Sequence, residues 1–345
     1  MQKHYFARED FYVITNAEEI AKDKDGIVPL RIKSAVCAEL PLLTEYSRMA
    51  TGMEIAFETN SKTIALTFEI LASVRPKGSA DISPIECIAG EMTTSGFHAA
   101  EFKRGMQRAV FTIRPSADEG IYRIVLAPGA IMRLHTLEID DNAYLKKPFE
   151  YMVELSGRAG WLVYGPPIVS PATVRAFSAT HAAIASRVMD LLPVTLDLGA
   201  FMFTEEAVVQ YLATRSDWQM ISIAIGPEVI AAFGTDVKKF HAAYERALRT
   251  LRAVHVRHPI ICMTPFWSPL DRTGGIVEEY REAIRGTIKS RILADRDIYF
   301  IEGSSIIMGP RGLLDDGAST DAFGEMIYTE ALIGVFREIA KKTNG

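Results

Sequence analysis

The sequence predicts an α/β protein in which an all-β sandwich is followed by a parallel sheet covered by helices. Two observations carry that reading. In the first half, apolar residues recur with period two over short segments separated by turn residues, the pattern of an antiparallel sandwich. In the second half, short apolar runs alternate with longer stretches of helical periodicity, the pattern of a parallel sheet with helices on both faces. At 345 residues the chain exceeds one typical domain. Two domains are therefore expected, residues 1–148 and 149–345, with 141–158 as the candidate linker.

In the first half, Thr63–Ile70 places Ile64, Leu66, Phe68 and Ile70 on one face, and Gly52–Glu58 does the same more weakly. Ala109–Ile113, Ile121–Leu126 and Leu134–Ile139 follow. Turn signals at 59–62, Pro115–Gly120 and Pro128-Gly129 separate them. The switch of pattern falls at Gly160-Trp-Leu-Val-Tyr-Gly-Pro-Pro-Ile-Val-Ser170, which reads as a buried strand, a tight turn at Gly165, and a helix over 171–191. Pro171 suits the first helical turn, where its missing N–H would have no partner anyway. Further strands are expected at Val194–Leu198, Met220–Ile225, Ile260–Thr264 and Ile298–Glu302. Helices fit at 205–214, 237–255 and 276–293, and a last one over Phe323–Lys342 carries Met326, Ile327, Leu332, Ile333 and Phe336 as a stripe. Ligands of such sheets bind at the carboxyl ends of the strands. Those ends carry Gly165-Pro-Pro167, Gly199-Ala-Phe-Met202, Gly226-Pro-Glu228, Pro265-Phe-Trp267 and Glu302-Gly-Ser-Ser305.

Composition narrows the function classes. With 48% hydrophobic and 23% charged residues, the chain is an ordinary globular protein. A net charge of -5 without a Lys/Arg block argues against nucleic acid or an anionic membrane as the main partner, leaving a small molecule. The oligomeric state is not legible. No stretch approaches the ~20 apolar residues of a membrane span, and the first residues lack a signal-type apolar run, so a cytoplasmic location is expected. Cys37, Cys87 and Cys262 form no CxxC pair and read as buried free thiols. His181 and His241 fall on expected helix surfaces, and His255 and His258 flank a helix end before Pro259. None has metal-ligand spacing, so no metal and no cofactor is expected.

At the strand ends the sequence resembles the SGNH, or GDSL, hydrolases. The likeness is to the two-domain bacterial members, in which a jelly-roll sandwich precedes a flavodoxin-like hydrolase domain. Val163-Tyr-Gly-Pro-Pro-Ile-Val-Ser170 looks like the family's first block, Tyr-Gly-Ser-Ser-Ile-Thr, and places the nucleophile position on Pro167. Leu198-Gly-Ala-Phe-Met-Phe203 looks like the second block, Leu-Gly-x-Ser-Gly-Asn, with the oxyanion glycine at Met202 and the asparagine at Phe203. Ile225-Gly-Pro-Glu-Val-Ile230 looks like the third block, Gly-x-Asn, with Glu228 at the asparagine. Leu314–Gly324 looks like the last block, Asp-Gly-x-His-Pro-x-x-x-Gly. It keeps the aspartate as Asp316, while Ser319 stands at the histidine and Thr320 at the proline.

The resemblance thus implies the hydrolase scaffold without its chemistry. Ester hydrolysis needs an activated nucleophile and donors aimed at the tetrahedral oxyanion. Pro167 has neither hydroxyl nor backbone N–H, Met202 is bulky where a bare N–H is wanted, and Glu228 replaces a donor with an acid. Losing one oxyanion donor costs roughly 2.7–4 kcal/mol of barrier. A like charge at ~4 Å and an effective dielectric of ~20 repels by roughly 4 kcal/mol. Family-type hydrolysis is therefore not expected. Ser170 reads as a helix cap more readily than as a displaced nucleophile. Glu228 and Asp316 are the catalytic candidates, since two carboxyls in one pocket raise one pKa; the competing reading pairs Glu228 with Arg272 or Arg311. Tyr164, Pro167, Met202, Trp267 and Ser319 are the ligand-binding candidates, and Tyr164, Trp267 and Phe201 are equally compatible with core filling. Three functions stay open: a non-catalytic binding or structural protein that keeps the cleft, for a small metabolite or carbohydrate-like ligand; a repurposed enzyme doing non-hydrolytic acid/base chemistry on a small metabolite with Glu228 and Asp316; and a residual esterase.

Overall fold

The computed structural model describes residues 1–73, 85–89, 92–97, 105–113, 120–165, 177–226, 228–315 and 317–343. The chain forms two compact units, one of Met1–Arg158 with residues 170–178, the other of Ala159–Val169 with Ala179–Gly345.

In the first unit, the strands are β1 (Gln2–Tyr5), β2 (Val13–Thr15), β3 (Glu19–Lys22), β4 (Ile27–Leu30), β5 (Glu54–Thr59), β6 (Thr63–Ser73), β7 (Ile85–Ala89), β8 (Met92–Phe97), β9 (Gly105–Thr112), β10 (Gly120–Val125), β11 (Ala130–Ile139) and β12 (Leu145–Lys146). Helices α1 (Ser34–Glu39), α2 (Thr44–Arg48) and α3 (Phe149–Gly157) accompany them. One sheet runs β3-β4-β11-β6-β9 with β1 on β11; the other runs β12-β5-β10-β7-β8 with β2 on β5. Every pairing is antiparallel. The period-two residues face one shared core, in which Ile64, Leu66 and Phe68 of one sheet meet Ile55, Phe57 and Ile124 of the other. Period two predicted the longer strands. It missed β1, β2, β3, β4, β7, β8 and β12, and the stretch 141–158 holds β12 and α3.

The second unit contains β13 (Ala159–Tyr164), α4 (His181–Met189), β14 (Leu191–Leu196), α5 (Phe201–Thr204), α6 (Glu206–Thr214), β15 (Met220–Ala224), α7 (Glu228–Phe233), α8 (Val237–Val254), β16 (Ile260–Met263), α9 (Ile276–Arg291), β17 (Ile298–Ile301), α10 (Gly303–Ile306) and α11 (Ala322–Thr343). The five strands form one parallel sheet in the order β14-β13-β15-β16-β17. Helices flank it, α4 packing with α11 and α8 with α6 and α9. Trp161 of β13 is fully buried; its indole N–H donates to the Ser222 hydroxyl at 2.9 Å and its ring meets Phe336 of α11 edge-on at 4.8 Å. Side-chain caps start the helices as the sequence allows. Thr180 accepts from the Ala183 N–H, and Asp236 accepts from the Lys239 N–H. The helix expected over 171–191 is described from a short 3-10 turn at Phe177–Ala179 onward; residues 166–176 lie outside the described residues.

Gly160 permits β13 to enter the sheet. A Cβ there would stand 2.1 Å from the Asp217 carbonyl oxygen, a backbone atom that cannot swing aside. Gly160→Ala should therefore destabilise the protein by about 1–3 kcal/mol, read as a lower denaturant midpoint at unchanged m-value; an unchanged midpoint would show that the close approach does not constrain the sheet.

Candidate functional site

In a parallel sheet of this strand order, the connections diverge at the carboxyl ends of β13 and β15, which is where such folds bind ligands. The chain draws its turns together there. The Leu196 carbonyl accepts from the Gly165 N–H at 3.4 Å, and the Gly165 carbonyl accepts from the Gly199 N–H at 3.1 Å. Gly199 takes φ +57°, a conformation that suits glycine, and turns the chain directly into α5. Tyr164, the last residue of β13, is buried at 1% exposure. Its hydroxyl donates to the Gly199 carbonyl at 2.8 Å and accepts from the Met202 N–H at 2.8 Å. The backbone donor at the position matched to the oxyanion glycine is thus already engaged. Met202 and Phe203 are buried, Phe203 with its ring against Tyr164, Phe240 and Tyr244.

Glu228 opens α7 at the end of β15. Its Oε1 accepts from the Gly226 N–H at 3.3 Å, and a Cβ at Gly199 would lie 3.6 Å from its Cγ. The carboxyl therefore rests beside the turn that follows β14. Burial pushes its pKa up to about 7, and the backbone N–H groups of Glu228 and Gly226 oppose the rise without cancelling it. It makes no ion pair with a described residue. The two arginines that might have neutralised it stack elsewhere, Arg272 over the Trp267 ring at 5.2 Å and Arg311 over the Phe323 ring at 4.6 Å. The other half of the expected acid pair, Asp316, lies outside the described residues, as do Pro167 and Ser170.

Trp267 sits half-buried after β16, its backbone N–H donating to the Ile307 carbonyl at 3.0 Å. Arg281 of α9 holds this loop from beneath. It donates to the carbonyls of Pro265 at 2.9 Å and Phe266 at 2.6 Å, and forms a two-pronged pair with Asp271 at 2.7 and 2.8 Å. Ser319 is buried and its carbonyl accepts from the Leu314 N–H at 2.9 Å.

His181 is not on a helix surface; it is 0% exposed at the first position of α4. Its N–H and Nδ1 meet Glu325 Oε2 at 2.6 and 2.8 Å, the Thr320 hydroxyl meets Glu325 Oε1, and Tyr328 packs on the imidazole at 4.3 Å. Burial alone would raise the Glu325 pKa, but His181 and Thr320 outweigh it and hold the carboxylate below the usual glutamate range. No local signal could have revealed this pair, because its members lie 144 residues apart. Among the described residues no cluster of His, Cys, Asp or Glu could hold a metal ion, and no helix is long and apolar enough to cross a membrane. The three cysteines are buried free thiols.

The raised Glu228 pKa makes stability depend on pH. A folded-state value above the ordinary 4.5 means that the carboxyl's contribution is fully present below about pH 4.5 and is lost as pH rises through about 7. Glu228→Gln removes the half-buried, unpaired charge, so at pH 8 it should be more stable than the parent by roughly 2–3 kcal/mol and nearly equal to it at pH 4.5. Urea denaturation across that range reads the difference, and parallel profiles would contradict the assigned burial. Tyr164→Phe leaves the Gly199 carbonyl and Met202 N–H without their shared partner and should cost about 1–3 kcal/mol, measured in the same way.

No protein-family model and no curated protein sequence matches the chain. Solved structures do. A Bacteroides ovatus protein described as a GDSL-like lipase superposes with a TM-score of 0.78 at 16% identity over 99% of this chain and 98% of its own. The salicylyl-acyltransferase SsfX3 of a tetracycline biosynthetic pathway gives 0.76 at 16% identity, with 96% of each chain covered. A family two carbohydrate esterase from Clostridium thermocellum, solved with cellohexaose, gives 0.63 at 12% identity over 95% of this chain and 99% of that one. At such identities the likeness is one of fold, and at that level it meets the expectation drawn from the strand-end motifs: the chain has the fold of SGNH-type hydrolases that carry a jelly-roll-like domain.

Proposed function

We propose that the protein binds a small, polar, carbohydrate-like ligand at the carboxyl ends of β13 and β15, with protonated Glu228 as a hydrogen-bond donor, and that it does not hydrolyse esters. The observation that carries this reading is the Tyr164 hydroxyl on the Met202 N–H at 2.8 Å. An oxyanion is stabilised by donors held free for it, and this donor is engaged within the fold. Pro167 at the nucleophile position supports the same conclusion from the sequence. Glu228, with its pKa near 7, is suited to give a hydrogen bond to a ligand hydroxyl. The choice of a carbohydrate-like ligand follows the cellohexaose complex of the Clostridium thermocellum esterase.

That same raised pKa favours a second reading, in which Glu228 is a general acid and Asp316 its partner in non-hydrolytic proton transfer. The substitution Glu228→Gln separates the two, because the amide still donates a hydrogen bond but cannot deliver a proton.

The purified protein should release no p-nitrophenol from p-nitrophenyl acetate above a denatured control and take up no fluorophosphonate probe; stoichiometric serine labelling would overturn the reading. Calorimetry with cellohexaose should show binding that weakens as pH rises through about 7. In Glu228→Gln that pH dependence should vanish while binding persists. Conversion of the sugar by the parent but not by Glu228→Gln would select the acid/base reading.

A further inference from the structure

The loop after β16 ends in a cation that the fold leaves unpaired. β15 and β16 run in parallel with Ala224 beside Met263, and Glu228 and Trp267 each follow that pair by four residues. Both therefore leave the sheet at its carboxyl edge, on neighbouring strands. The loop that carries Trp267 is fixed at several points. Its 3-10 turn, Pro269–Arg272, is closed by a capping box, in which the Ser268 hydroxyl accepts from the Leu270 N–H at 3.3 Å and Asp271 accepts from the Ser268 N–H at 2.8 Å. Arg281, 3% exposed, holds the same loop through the Pro265 and Phe266 carbonyls and both carboxylate oxygens of Asp271.

Arg272 closes this turn and is exposed. Its guanidinium lies over the Trp267 ring at 5.2 Å and makes no hydrogen bond or ion pair with any described residue. The acids beside it in the chain are engaged by other cations. Arg281 and the Ser268 N–H take Asp271, and Arg281 and Arg285 share Glu278. Attraction to the ring face draws on the guanidinium charge and leaves its in-plane N–H donors unused. A cation steadied on a ring, on a fixed loop whose own acids are occupied, complements an anion from outside the chain. One planar fork matches one carboxylate, in two parallel hydrogen bonds. We propose that Arg272, held on Trp267, recognises a carboxylate, and that the ligand of the strand-end site is an acidic sugar of the uronic acid type. The sugar rests on the function proposed above; the carboxylate rests on Arg272.

Methyl β-D-glucuronide and methyl β-D-glucoside differ only at the carbon that bears the carboxylate, and calorimetry on the full chain compares them. At pH 6, below the Glu228 value of about 7, the glucuronide should bind about tenfold tighter or more, the scale of a hydrogen bond to a charged group. Arg272→Gln should abolish that preference at an unchanged melting temperature. Trp161 and Trp218 are 0% exposed, so iodide quenching of the native fluorescence reports on Trp267, and the glucuronide should reduce it. Equal binding of the two sugars, or a preference that survives in Arg272→Gln, overturns the Arg272 assignment and leaves the Glu228 reading standing. A glucuronide preference that depends on Arg272 but shows no change as pH rises through 7 supports this subsite and overturns the role given to Glu228. Binding of neither sugar overturns both.

Discussion

The interior position of β13, hydrogen-bonded on one edge to β14 and on the other to β15, is the constraint on which the second unit depends. A strand paired on both edges and covered on both faces must be apolar along its length, and Gly160–Tyr164 is buried throughout. It must also let its neighbour approach closely, which Gly160 does against the Asp217 carbonyl. Because the strands are parallel, their carboxyl ends emerge on one side. The turns at Gly165, Gly199 and Gly226 gather there, and Tyr164 reaches from the end of β13 to tie the turn after β14 to α5.

That tie and the Glu228 carboxyl are two consequences of one arrangement. The hydroxyl of Tyr164 satisfies a backbone donor and a backbone acceptor that would otherwise be buried without partners, so it adds order while withdrawing that donor from any ligand. Glu228 does the opposite. It carries a carboxyl into surroundings that penalise its charge and give it no counter-ion among the described residues. A fold selected for stability alone would replace such a group, so its presence is the strongest support for a polar task at this end of the sheet. The Glu325 carboxylate is a different kind of buried charge, held by the His181 N–H and ring and by the Thr320 hydroxyl, and its bonds to His181 join the starts of α4 and α11.

The fold was legible wherever hydrophobic period and segment length agreed. The strip Ile64, Leu66, Phe68, Ile70 marked β6, and five apolar runs marked the parallel strands. Segments that hide their period were not legible. Short strands such as β2 and β12 are too brief for alternation to be read. Strand β4 is buried at every position and shows none. α5 and α7 span fewer than two turns, too short for a helical stripe, and α3 buries only Tyr151. At the site, the motif spacing identified Glu228, Tyr164 and Met202 as positions of interest but could not say what each touches.

The sequence by itself determined the longer strands and helices, the change from antiparallel to parallel architecture, and the proline, Pro167, that stands where the strand-end resemblance puts the nucleophile. These depend on residue type and local period, which a chain carries before it folds. Only the tertiary structure decided that the Tyr164 hydroxyl occupies the Met202 N–H, that Glu228 is half-buried with no counter-ion among the described residues, and that His181 is an interior residue held by Glu325. Each of these depends on partners brought together by closing the sheet, 38 residues apart for Tyr164 and Met202 and 144 for His181 and Glu325. Hydrogen bonding and desolvation are set by what surrounds a group in space, and sequence spacing over such distances does not specify that.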